Sequence, residues 1–144
     1  MVSGVIIEPL RQIQDERGKV MHMLRCDSPF YHTFGEIYFS MVNPGAIKAW
    51  KLHKKMTMNL AVPYGEIKLV LFDDREDSPT RGIIQEIITG TNNYCLIIIP
   101  PMIWNGFQAI SNEASMLANC ATIPHDPHEV ERLDYFTSDI PYKW

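Results

Sequence analysis

What this chain of 144 residues lacks narrows the reading first. Its longest apolar run, Tyr94–Ile99, stops at Pro100-Pro101, far short of the ~20 residues a membrane-spanning helix needs. No stretch keeps a helical apolar period beyond two turns, and the best candidate for a short helix is Pro127–Tyr135. Basic residues are outnumbered: 13 Lys and Arg stand against 17 Asp and Glu, a net charge of −4. With Lys54-Lys55 as the longest basic run, nothing resembles the stripe that nucleic acid requires. Cysteine is scarce. Cys26, Cys95 and Cys120 are odd in number and far apart, so free thiols in a reducing cytoplasm are the expectation. The first residues, Met1–Pro9, have neither a basic region nor a long apolar run, and no signal peptide is expected. Repeats, low-complexity tracts and linkers are absent too, so residues 1–144 are expected to form one cytoplasmic domain. At this length a chain buries roughly 70% of its unfolded surface and needs no disulfide or metal staple.

What is present is a recurring unit: a short β-branched or aromatic run, then a turn signal. Val5–Leu10 leads to Asp15-Glu16-Arg17-Gly18, and Val20–Arg25 to Ser28-Pro29. Glu36–Val42 ends at Asn43-Pro44-Gly45, and Met58–Val62 at Pro63-Tyr64-Gly65. Glu66–Phe72 runs into a polar loop, Asp73–Gly82, and Ile83–Ile88 stops at Gly90. Cys95–Ile99, Gly106–Ile110 and Ser115–Ile123 complete the series. Strands at this spacing predict an all-β sandwich or barrel. Most prolines fall at strand ends, where a missing N–H costs no ladder bond. Ile67, Leu69 and Leu71 alternate with Lys68, Val70 and Phe72, so that strand is expected to be covered on both faces. Of the two all-β forms, the jelly roll is preferred because the mouth between its sheets is a natural ligand pocket.

The chain is organised around Gly45–Gly65, which reads as two strands about a turn of Lys54, Lys55 and Met56. Side chains two apart on a strand share a face, so Lys51 and His53 are expected to point into one cavity. The spacing resembles the first cupin motif: Gly45, five residues, Lys51-Leu52-His53, Met58 at the Glu place, and Gly65 to close. Pro100–Asn105 resembles the second motif with Asn105 in place of its His. The resemblance implies a cupin double-stranded β-helix. Of the four positions where a metal-binding cupin keeps its ligands, only His53 is a good ligand, so no metal is expected.

A narrower resemblance is to the dTDP-4-keto-6-deoxyhexose 3,5-epimerases, and it covers nearly the whole chain. It rests on Gly65-Glu66 running into Asp73-Asp74-Arg75 and Ser78-Pro79-Thr80, on Asp15–Gly18, on Ile99-Pro100 to Gly106-Phe107, on Asp126–Glu129 and on Ile140–Trp144. The phrases His53-Lys54-Lys55 and Ile99–Trp104 are similar to the sister 3,4-ketoisomerases. The family reaction needs a base to take a carbon-bound proton and an acid to return one from the other face. Carried over by position, the family base falls at Lys51, its substrate-holding Arg at Lys48, its enolate-stabilising Lys at Met58, its acid Tyr at Ala118 and a further His at Asn105. The orienting Asp falls near Phe136 or Thr137, with Asp134 out of register. All four proton-handling positions therefore look changed, and weak or absent 3,5-epimerase activity is the expectation.

Two residues offer a reduced chemistry. His53 titrates near neutrality without help, and Lys51 becomes a base where burial or the neighbouring Lys48 and Lys55 lower its pKa. Candidate substrate contacts are Arg17, Lys48, Asn105, Tyr38 and Tyr64, with Arg17 reaching a partner subunit as in the family and aromatic rings available for stacking. His125 to Glu129 reads as a surface loop. The resemblance implies a cofactor-free protein of bacterial deoxysugar and O-antigen (lipopolysaccharide) assembly, a homodimer, with a nucleotide-linked deoxysugar as ligand. Two classes of function follow: a single-centre epimerase or 3,4-ketoisomerase using His53 or Lys51, or a non-catalytic binder of a sugar nucleotide or a partner enzyme. A relic of that second kind would have its pocket filled by Met58 and Trp104 or lacking acid–base pairs.

Overall fold

The alternating runs become strands. A computed structural model describes residues 1–144 and contains twelve strands and no helix. They are β1 (Ile6–Pro9), β2 (Gln12–Asp15), β3 (Gly18–Met21), β4 (Glu36–Val42), β5 (Ile47–His53), β6 (Met58–Tyr64), β7 (Glu66–Phe72), β8 (Ile84–Gly90), β9 (Cys95–Ile99), β10 (Trp104–Ala109), β11 (Ser115–Ala121) and β12 (Val130–Arg132). Two five-stranded sheets, ordered β1-β9-β6-β11-β4 and β12-β5-β10-β7-β8, face each other, and β2 pairs with β3 in a separate hairpin. Every pairing is antiparallel. This is the expected jelly roll. The central stretch does hold two strands about a turn, but β5 and β6 lie in different sheets, so Lys54–Thr57 carries the chain from one wall to the other.

The space between the sheets is filled by one cluster of 18 buried residues, among them Met58, Leu60, Val62, Ile67, Leu69, Leu71, Ile97, Ile99 and Leu117. The other face of β7 is covered as expected. Val70 and Phe72 pack with Trp50 and Ile140, and Trp104, Tyr142 and Trp144 lie against them. The rings of Trp50 and Trp144 sit 5.1 Å apart. The C-terminal segment therefore straps the outside of the second sheet, where offset and edge-on aromatic contacts add to apolar burial. Trp104 belongs to this outer layer and Met58 to the central core, so neither stands in for a ligand at the mouth.

Gly65 closes the tight β6–β7 turn. Its φ is +75°, and a Cβ there would lie 2.4 Å from the Ser115 Oγ; only glycine satisfies both demands. The expected helix over Pro127–Tyr135 does not form. Val130–Arg132 instead extends the second sheet, with Val130 opposite His53 and Arg132 opposite Lys51. Its apolar spacing fits a single edge strand, and pairing with β5 satisfies the backbone groups that a two-turn helix would leave open.

Candidate functional site

Register decides which side chains meet. On β10, Asn105 pairs with Leu71 and Lys51, and Phe107 with Leu69 and Lys48. Leu69 and Leu71 face the core, so Lys48, Lys51 and Asn105 share that inner face, and the two-residue period adds His53. On the opposite wall Asn119 pairs with the core residue Leu60 and with Tyr38, which puts Tyr38 on the inner face of β4 beside Glu36 and Ser40. The two walls touch where the Lys48 Nζ donates to the Ser40 Oγ at 2.8 Å and to the Met41 carbonyl at 2.7 Å.

At the far end of the same row the His53 Nδ1 bonds the Glu129 carboxylate. Both residues are buried, at 6% and 3% exposure. The other Glu129 oxygen accepts from the backbone N–H groups of Lys55 (3.0 Å) and Met56 (3.3 Å). One carboxylate thus holds both the imidazole and the turn that follows it. Burial alone would raise the Glu129 pKa. The hydrogen bonds from His53, Lys55 and Met56 outweigh that and hold it below the usual glutamate value. Facing an ionised carboxylate, Nδ1 is the donor, and in the neutral form of the imidazole Nε2 then carries the lone pair.

Further back along β5 lies a cleft of about 520 Å³ with Lys48, Lys51, Arg132 and Asp134 in its walls; His53 and Glu129 do not line it. Much of Lys51 is open to solvent. Even so, partial burial, then the charges of Arg132 and Lys48, pull its ammonium below the ordinary lysine value. Three cations against one carboxylate suit a diphosphate. A larger cavity, about 820 Å³, lies against the C-terminal segment with Tyr135, Phe136 and Trp144 among its walls. Its one charged side chain is Lys143, whereas the smaller cleft gathers three cations on and beside the strand that carries His53, so the smaller cleft is the candidate site.

The structure brings together five of the residues singled out from sequence: Lys48, Lys51, His53, Tyr38 and Asn105. Asn105 is already committed, its amide donating to the Lys51 and Ile103 carbonyls. Tyr64 does not join them. A register shift in β6 sets it opposite Met116, itself opposite Met41, and Tyr64 is 49% exposed on the outer face. Arg17 lies at the tip of the β2–β3 hairpin, paired with Asp15. Glu129 is the functional residue that sequence reasoning missed. In the sequence its segment, His125–Glu129, reads as a surface loop, and the family's orienting carboxylate falls by position near Phe136 or Thr137. A carboxylate is in place on the imidazole, supplied from a different position. The one signal for it was the likeness of Asp126–Glu129 to an Asn-Pro-x-x-Glu segment.

Comparison with known proteins agrees with this architecture. The sequence pattern of dTDP-4-dehydrorhamnose 3,5-epimerase matches residues 1–144. The probable low-salt glycan biosynthesis epimerase Agl13 of Haloferax volcanii is 37% identical, over 99% of this chain and 94% of that protein. The spore coat polysaccharide biosynthesis protein SpsL of Bacillus subtilis is 28% identical, over 100% and 97%. Among solved structures, a dTDP sugar isomerase from Desulfovibrio desulfuricans G20 is 48% identical and superimposes with a TM-score of 0.97, over 99% of this chain and 92% of that one.

Proposed function

The chain belongs to the dTDP-4-dehydrorhamnose 3,5-epimerase family, and from that premise we propose that it is a cofactor-free epimerase or isomerase acting on a nucleotide-linked keto-deoxysugar, with His53 as its base. The observation that carries this reading is the buried His53–Glu129 pair on the strand that also supplies Lys48 and Lys51 to the cationic cleft. Nε2 takes a proton from the carbon next to the ketone. Glu129 fixes the tautomer and stabilises the imidazolium that forms. Lys51, on the same strand face two residues earlier, is placed to hold the enolate oxygen, and Lys48 and Arg132 to hold the diphosphate.

The reaction proposed is narrower than the parent 3,5-epimerisation and takes place at one carbon. Supporting this, the positions that carry the parent's enolate Lys and acid Tyr hold Met58, packed in the core, and Ala118, whose strand partner Ala61 lies outside the core cluster. The relatives' names, low-salt glycan biosynthesis and spore coat polysaccharide biosynthesis, support a step in glycan assembly; a cytoplasmic location and a homodimer are carried over from the resembled enzymes alone.

The test is incubation with dTDP-4-keto-6-deoxyglucose in heavy water, following ring protons by NMR. Deuterium is expected at one carbon beside the ketone. Rapid uptake at both C3 and C5 overturns the one-carbon reading. No uptake, with the nucleotide still bound in calorimetry, overturns catalysis and leaves a sugar-nucleotide binder.

A further inference from the structure

We propose that Tyr38, on the wall opposite His53, is the group that returns the proton; this rests on the reading of the site as an epimerase. The family position for such a phenol falls at Ala118. The neighbouring residue, Asn119, is fully buried and faces the interior. Its orientation is fixed at both ends. The Oδ1 accepts the backbone N–H of Asn59 at 3.1 Å, so the Nδ2 is the donor to the Tyr38 oxygen at 2.9 Å. The phenol oxygen is thus an acceptor in this contact, and its own proton is committed to no protein group. Tyr64 and Tyr142 differ, because each gives its proton to a carboxylate, Glu113 or Glu86. A hydrogen bond received from an amide also steadies the phenolate that remains after donation.

Placement supplies the stereochemistry. The Lys48–Ser40 contact ties β5 to β4, so the inner row Glu36, Tyr38, Ser40 faces the row His53, Lys51, Lys48 across the mouth. A sugar ring between the rows meets imidazole on one side and phenol on the other. In the step proposed, the C–H bond beside the ketone breaks and its proton goes to the His53 Nε2, leaving an enolate. The Tyr38 O–H bond then breaks and its proton forms the new C–H bond on the opposite face. The imidazolium and phenolate return to their starting states by proton exchange with water, so no oxidant or other reactant is needed.

Tyr38→Phe removes only the hydroxyl from a half-buried ring. In heavy water with dTDP-4-keto-6-deoxyglucose, this variant is expected to keep deuterium exchange within about threefold of wild type, since His53 still removes and replaces the proton on its own side. Inversion is expected to fall at least ~100-fold. A residue that only supports the fold would not separate the two rates. Inversion at the wild-type rate, or parallel loss of exchange and inversion, overturns the Tyr38 assignment and leaves the His53 reading standing. Wild-type protein that exchanges no proton overturns both.

Discussion

Two buried carboxylates in this protein, Asp73 and Glu129, are 0% and 3% exposed, and both are kept ionised by the donors around them. Asp73 collects Arg75 (2.8 and 2.9 Å), Ser78 (2.6 Å) and Thr80 (2.6 Å), all within seven positions of itself. The Arg75 guanidinium first, then Ser78 and Thr80, hold its carboxyl far below the usual aspartate range against the opposing effect of burial. The cluster also grips the N-terminal segment. Arg75 donates to the Ser3 carbonyl at 2.7 Å, and the Ser3 N–H donates to Thr80 at 2.8 Å. Glu129 instead binds an imidazole and two backbone groups more than 70 positions away. Every donor at Asp73 is satisfied by protein, so that site is a clamp. At Glu129 the principal donor has a second nitrogen to spare. Equal burial and equal ionisation do not make equal roles; what separates them is whether a reactive atom is left over.

The comparison is broken most directly at its reactive atom. His53→Asn is expected to lower proton exchange about 1,000-fold while circular dichroism still shows the folded strands, with a lower melting temperature because the buried Glu129 loses its imidazole partner. An unchanged exchange rate would move the base elsewhere, with Lys51 next in line. Glu129→Gln keeps the shape and removes the charge; kcat should fall about 100-fold, and a change in KM alone would show that the carboxylate serves binding rather than the base.

At the clamp the expected effect is on folding. Asp73→Asn loses charge-assisted hydrogen bonds in a buried site, about 3 kcal/mol, measurable in urea. Activity per folded molecule should be unaffected; a selective loss of kcat would make the clamp part of the site. A carboxyl with a lowered folded pKa contributes stability that is complete above its unfolded value, 3.8 for Asp73, and is lost as pH falls below it. Urea midpoints from pH 6 down to pH 3 should therefore decline less steeply in Asp73→Asn than in wild type. The smallest change expected is at the rim of the cleft: Lys48→Met should raise KM roughly tenfold for the loss of a phosphate contact worth ~1.4 kcal/mol, with little effect on kcat.

Much of the fold was legible in the residues. The runs Glu36–Val42, Glu66–Phe72 and Cys95–Ile99 match β4, β7 and β9 end to end, because turn residues bound each run and its alternating or continuously apolar pattern has a strand's period. The alternation of Ile67, Leu69 and Leu71 with Val70 and Phe72 announced two covered faces. Pro127–Tyr135 misled because spaced apolar residues in so short a segment suit a helical turn as well as an edge strand, and only the open flank of β5 decides between them. For the site, local spacing was enough to put Lys51 and His53 on one face. It could not show that Glu129 would reach His53, nor that a register shift in β6 would turn Tyr64 outward.

By itself, then, the sequence determined the strand set, the jelly roll, the family and the inner row of β5, since all of these depend on period, turn chemistry and motif over short spans. Only the tertiary structure decided that the imidazole has a carboxylate. That partner lies 76 positions downstream, and pairing across such a distance is set by how the sheets close on one another.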